Sequence, residues 1–119
     1  MTTEDNILKF VSDHLRISTD EMRGKARWRA IVEARQIFCY ICRKLLPLSL
    51  RQIGNVINKD HATVLHSVKA IENRIFVYPN EKTFIDNLMI TVKEEVDFLD
   101  SDIFVDNEEV FLENDCYKN

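Results

Sequence analysis

Apolar residues in this chain return every three or four positions and almost nowhere every two, so nearly every segment carries the period of an amphipathic helix. From Trp28 to Leu46 the set Ile31, Ala34, Phe38, Ile41, Cys42 and Leu45 keeps that step, which predicts the central core helix. Pro47 ends it, because a proline ring disfavours helical geometry in the residue before it. Ile7, Leu8, Val11 and Leu15 predict a shorter helix over 4–15. Ser18 with Glu21, and Ser49 with Gln52, have the spacing of capping boxes. The first opens a brief helical turn, and the second a helix that turns Leu50, Ile53 and Ile57 inward. Asn58-Lys59 makes a tight turn, after which Asp60 caps a helix with the buried stripe Val64, Val68, Ile71 and Ile75. Two short helices joined this way, the second polar at its leading end, form a helix-turn-helix. Pro79-Asn80 is expected to break the pattern before a last helix over about 81–99, packing through Phe84, Leu88, Ile90 or Thr91, Val92 and Val96. The expected fold is all-α, a small helical bundle containing a helix-turn-helix. Residues 1–79 would be the helix-turn-helix domain and 80–100 a helix packed on it. Residues 101–119 lose periodicity and read as a loosely ordered acidic tail.

Length and composition remove several function classes. A chain of 119 residues suits one domain with one core. No run approaches the ~20 apolar residues that span a bilayer. Met1-Thr2-Thr3-Glu4-Asp5 lacks the basic and apolar regions of a secretory signal, so a cytoplasmic protein is expected. Three cysteines, an odd number without such a signal, point to reduced thiols. Gly24 and Gly54 are the only glycines, too few for a phosphate-cradling loop, which argues against a nucleotide-driven motor on this chain. Cys39-x-x-Cys42 with His61 and His66 imitates a zinc ligand set, but both cysteines fall within the long helix and Cys42 lies on its apolar stripe. Trp28 and Tyr40 read as core or rim residues, not base-stacking platforms, and His14 as an exposed helix-end residue. No nucleophile–base pair or calcium loop can be assembled, so neither an enzyme nor a cofactor is expected.

Charge is divided along the chain. Residues 1–80 hold 13 basic and 8 acidic side chains, a net of +5, while residues 81–119 hold 3 basic and 12 acidic, a net of −9. The total of −4 therefore conceals a basic domain joined to an acidic third. Between Arg23 and Lys59 nine basic residues face a single acid, Glu33. A concentrated positive face beside a helix that starts Asp60-His61-Ala62-Thr63 suits a nucleic-acid duplex: phosphates supply affinity and base edges supply specificity. The inward stripe begins at Val64, so His61, Ala62, Thr63, His66 and Ser67 are expected to face a groove. Imidazole and hydroxyl groups bond base edges, and the methyls of Ala62 and Thr63 can pack on thymine. Lys25, Arg27 and Arg29 form a basic loop beside Gly24, and an arginine there can enter a narrow minor groove. Arg35, Arg43, Lys44 and Arg51 would clamp phosphates or make a soluble face.

In this order, Gly24-Lys25-Ala26-Arg27, Ala34-Arg35-Gln36-Ile37, Leu48-Ser49-Leu50-Arg51-Gln52-Ile53-Gly54 and Asp60-His61-Ala62-Thr63-Val64-Leu65-His66-Ser67 resemble the C-terminal DNA-binding domain of the bacterial replication initiator DnaA. The resemblance covers about residues 5–76 and, more loosely, the following helix. It implies a helical bundle around a helix-turn-helix that binds short asymmetric double-stranded sites, the DnaA boxes. It implies Arg27 for the minor groove and Asp60, His61 and Thr63 for the major groove. Gln36, Arg43, Leu50 and Arg51 match phosphate-facing positions; Lys25, Arg35, Lys59, Ala62 and His66 complete the candidate site.

Three departures are visible. Ala62 stands where the family usually has a hydroxyl residue. The Asn58-Lys59 turn is one residue shorter than the common form. The ATPase domain is absent from these residues. The expectation is therefore a stand-alone reader of DNA sites, without the motor, that regulates replication initiation or transcription. The alternative is a protein-interaction module whose acidic third engages a replication or regulatory protein or mimics DNA. A dimeric repressor with a palindromic site is a third possibility.

Overall fold

The computed structural model describes residues 3–95, and they are helical apart from short links. The order is α1 (Thr3–Leu15), α2 (Thr19–Arg23), α3 (Arg29–Leu45), α4 (Leu50–Ile57) and α5 (His61–Val77); residues 79–95 then form α6. The tail expected over 101–119 lies outside the described residues. No described helix is long and apolar enough to cross a membrane.

Each boundary has a local cause. Both capping boxes are formed: Ser18 and Ser49 accept from the backbone N–H of Glu21 and Gln52, and those side chains accept from the N–H of their serines. Asp60 accepts from the Thr63 N–H at 2.8 Å, satisfying one of the orphan donors that open α5. α3 is the central element, packed against α1, α2, α4 and α5. Its buried face holds Ile31, Ala34, Ile37, Phe38, Cys39, Ile41, Cys42 and Leu45. That face is wider than the stripe expected from sequence, because partners surround the helix on several sides.

One core joins all six helices. Ile7, Leu8 and Val11 of α1, Met22 of α2, Ile53 and Ile57 of α4, and Val64, Val68 and Ile71 of α5 close on Phe38 and Ile41, with Ile85, Leu88 and Val92 of α6 in the same cluster. Burying side chains of this size stabilises by about 1.5–3 kcal/mol each, before the entropy of ordering them is subtracted.

The last helix corrects the sequence reading. Pro79 and Asn80 do not separate the helices; a single residue, Tyr78, does. Its N–H bonds the Arg74 carbonyl to end α5, and its carbonyl accepts from the Lys82 N–H to begin α6. Pro79 thus occupies the first helical position, where no intrahelical N–H is needed. The inward residue is Ile85, whereas Phe84 is 41% and Ile90 56% exposed and Thr91 is exposed. Positions 85, 88 and 92 fall within about 60° around a helix, with 84 further out. Leu88 and Val92 point inward as expected, and Val96 lies outside the described residues.

Candidate nucleic-acid interface

Gly54 sets the geometry of the helix-turn-helix. The N–H of Asn58 caps α4 on the Gly54 carbonyl, and the Lys59 N–H bonds the same oxygen at 2.9 Å. Asn58 turns the chain in the left-handed conformation (φ 59°), which its short amide side chain tolerates. A Cβ on Gly54 would sit 2.2 Å from the Lys59 carbonyl oxygen, so only glycine permits this approach of the turn to α4. The close turn lets Val64 pack against α4 and turns the leading end of α5 outward. His61, Ala62, Thr63 and His66 are all exposed. Hydrogen bonding from Thr63 holds the Asp60 carboxyl below its usual range, so Asp60 remains an anionic cap at neutral pH. Ser67 is only 5% exposed and bonded to Cys39 of α3, yet it still lines the floor of the groove between α5 and the basic loop. A residue three places after the buried Val64 falls back onto the inward face.

The basic loop between α2 and α3 is stitched to this turn. Arg35 is the main pin. It is 8% exposed. Its Nε donates to the Met22 carbonyl at 2.8 Å, and its Nη2 to the Glu21 and Gly24 carbonyls at 3.0 Å each. Lys59 Nζ donates to the Gly24 carbonyl at 2.6 Å, Arg23 Nε to the Val56 carbonyl at 3.0 Å, and Asn58 Nδ2 to the Arg23 carbonyl at 3.4 Å. Arg35 is thus not part of a soluble face; its Nε and Nη2 are bound to backbone carbonyls while its side chain lines the floor of the groove between the loop and α5. Arg23 and Asn58 were missed as holders of the loop. Arg35 had a legible signal, since position 35 falls between Ile31 and Phe38 on the apolar face of α3, where a guanidinium must find buried partners.

The two elements wall one groove of about 500 Å³. Lys25 and Arg27 stand on the loop side, Lys59 at the turn, Thr63 and His66 on α5, and Gln36 on α3. Among the described residues no carboxylate lines it. The cations there disfavour one another: Lys59 is held below its ordinary pKa first by desolvation and then by Arg35, Arg27 and Lys25. Arg35 is lowered by desolvation and then by Arg27. An arriving polyanion would relieve that repulsion. Leu50, Arg43 and Arg51 do not line the groove. Arg43 donates to the Leu48 carbonyl at 2.9 Å, bracing the α3–α4 link, while Arg51 is exposed and Leu50 packs partly on the core. Trp28 is 79% exposed at the start of α3, a rim position and not a core one.

The match to known proteins falls on this region. Residues 4–71 match the family model described as the bacterial DnaA protein helix-turn-helix, more than half of the chain. The chain belongs to that family. It is 43% identical over 88 residues to the chromosomal replication initiator protein DnaA of Lachnoclostridium phytofermentans, covering 73% of this chain and 19% of the relative. It is 38% identical over 87 residues to that of Gloeobacter violaceus, covering 72% and 20%. For the Bacteroides thetaiotaomicron protein of the same name, the identity is 41% over 76 residues, covering 63% and 16%. The chain therefore spans about a fifth or less of the length of these DnaA relatives. Membership in the DnaA helix-turn-helix family supports DNA binding, and the basic groove is the surface suited to it.

Proposed function

We propose that this chain recognises short asymmetric duplex sites of the DnaA-box type. The leading turn of α5 enters the major groove, where His61, Thr63 and His66 bond base edges, Ala62 presents a methyl to thymine, and Asp60 accepts from a cytosine amino group. Arg27, carried on the pinned loop, enters the adjacent minor groove. Lys25, Gln36, Lys59, Arg43 and Arg51 hold phosphates, with Leu50 near the backbone. The observation that carries this reading is the convergence of Lys25, Arg27 and Lys59 with Thr63 and His66 on one groove. The role that follows is regulation of replication initiation or transcription in the cytoplasm, through competition with a full initiator for its boxes.

The alternative, a fold that has stopped reading DNA and works through its acidic third on a replication protein, leaves the exposed His61, Thr63 and Arg27 without a task. The test is anisotropy titration of a labelled DnaA-box duplex against a scrambled duplex, with Arg27→Ala and His61→Ala alongside. Box preference of about ten-fold, lost in both variants, is the expected result for a base-reading contact worth about 1–3 kcal/mol. Equal weak binding to both duplexes would sink box recognition.

A further inference from the structure

A second groove shares no residue with the basic one. It measures about 790 Å³, with Tyr40, Ile75 and Phe76 as its apolar part and Lys44, Lys69 and Lys82 around them. Phe76 is 88% exposed. Glu72 also lines the groove and pairs with Lys44 at 3.4 Å, and Lys82 pairs with Asp86 at 2.6 Å. With Lys44 paired to Glu72 and Lys82 to Asp86, the groove keeps a net positive charge through Lys69. A large aromatic ring held this far into water within a lysine rim is the signature of a surface that receives a chain with both apolar and acidic residues.

The protein carries such a chain. Residues 96–119 hold eight acids and one base, Lys118. Within them stand two apolar triplets, Ile103-Phe104-Val105 and Val110-Phe111-Leu112, separated by Asp106-Asn107-Glu108-Glu109. The reach is adequate. From Lys82 to Glu95, α6 advances about 20 Å at ~1.5 Å per residue. The seven residues 96–102 can return about 23 Å when extended. The first triplet can therefore arrive at the Lys82 end of the groove.

We propose that the segment 102–112 docks in the α3–α5–α6 groove of its own chain. One apolar triplet covers Phe76 and Ile75, and the acids between the triplets meet Lys69 and its neighbours. The acidic third is then held on a face separate from the duplex-reading groove, so that its charge does not occupy Arg27 and Lys59.

The test uses the full chain with a nitroxide on Cys116. Cys39 and Cys42 are buried, and burial raises both thiols, Cys39 to about 12, so neither competes for the label. The expected result is loss of amide signal intensity at Lys69, Phe76 and Lys82. Phe104→Ser combined with Phe111→Ser should restore those signals while the core resonances stay in place. Three results would overturn the proposal. One is no loss anywhere in α3, α5 or α6. Another is loss centred on Lys25, Arg27 and His66, which would mean that the segment covers the reading groove. The third is loss in an isotope-labelled chain mixed with a separate spin-labelled one, which would make the contact one between copies.

Discussion

Arg27 and Arg35 are two arginines of one local cluster with opposite fates. Arg35 holds three carbonyls from within the fold, and Arg27 projects from the loop that those bonds fix. Arg35→Ala should leave those carbonyls without their donor and cost about 1–3 kcal/mol in denaturant unfolding. Arg27→Ala should leave the unfolding midpoint in place and weaken duplex binding about ten-fold, a loss of about 1.4 kcal/mol. Equal loss of stability in both variants would contradict the assignment. The buried thiols give a second residue-scale expectation. A raised thiol pKa favours the neutral form, so the contribution of Cys39 to stability is present below the ordinary thiol pKa and fades as pH rises toward about 12. At pH ~8 the folded protein should keep Cys39 and Cys42 from alkylation, and unfolding should release both.

At the scale of elements, the helix-turn-helix depends on the contact between Gly54 and the Lys59 carbonyl. Gly54→Ala puts a methyl against backbone, which has no flexible end to move aside. It should cost about 1–3 kcal/mol and reduce box binding, because α5 can no longer hold its angle to α4. The same substitution with unchanged binding would show that the angle is set elsewhere. The cap of α5 carries an acid dependence. Because the folded Asp60 carboxyl is lowered by its Thr63 hydrogen bonds, its stabilisation is present above the ordinary carboxylate value and is lost as pH falls through the lowered one. Asp60→Asn keeps an oxygen acceptor and should flatten that acid limb in thermal unfolding; Asp60→Ala should lose the cap at every pH. The capping boxes, the Pro47 stop and the Asn58-Lys59 turn were legible because each depends on neighbours in sequence. The register of α6 was not. Phe84 is bulkier than Ile85, and only the facing helices decide which of two adjacent apolar residues is buried.

For the whole molecule, α6 is part of the single core and not an appendage. Ile85→Ala or Leu88→Ala should cost about 2–5 kcal/mol, against little for Ile90→Ala, in equilibrium unfolding followed by circular dichroism. A larger cost for Ile90→Ala than for Ile85→Ala would contradict this inward face. Charge acts at this scale too. Duplex affinity should fall with salt at a log–log slope of about −0.9 per phosphate neutralised, and removing Lys25 should make that slope shallower by about one. An unchanged slope would remove Lys25 from the phosphate contacts.

The five helices up to α5, the serine and aspartate caps and the residues on the leading turn of α5 follow from sequence alone, since helical period, capping spacing and proline chemistry act within a few residues. So does the division into a basic domain and an acidic third. Tertiary structure decided which cations meet an incoming ligand. Arg35 and Lys59 look like free surface cations in a linear reading, yet Arg35 is drawn inward onto three carbonyls and Lys59 lines the groove while also bonding the Gly24 carbonyl. The reason is that hydrogen-bond partners for buried polar groups come from distant segments. The carbonyls of Glu21, Met22 and Gly24 become available to Arg35 only when α2 has packed against α3.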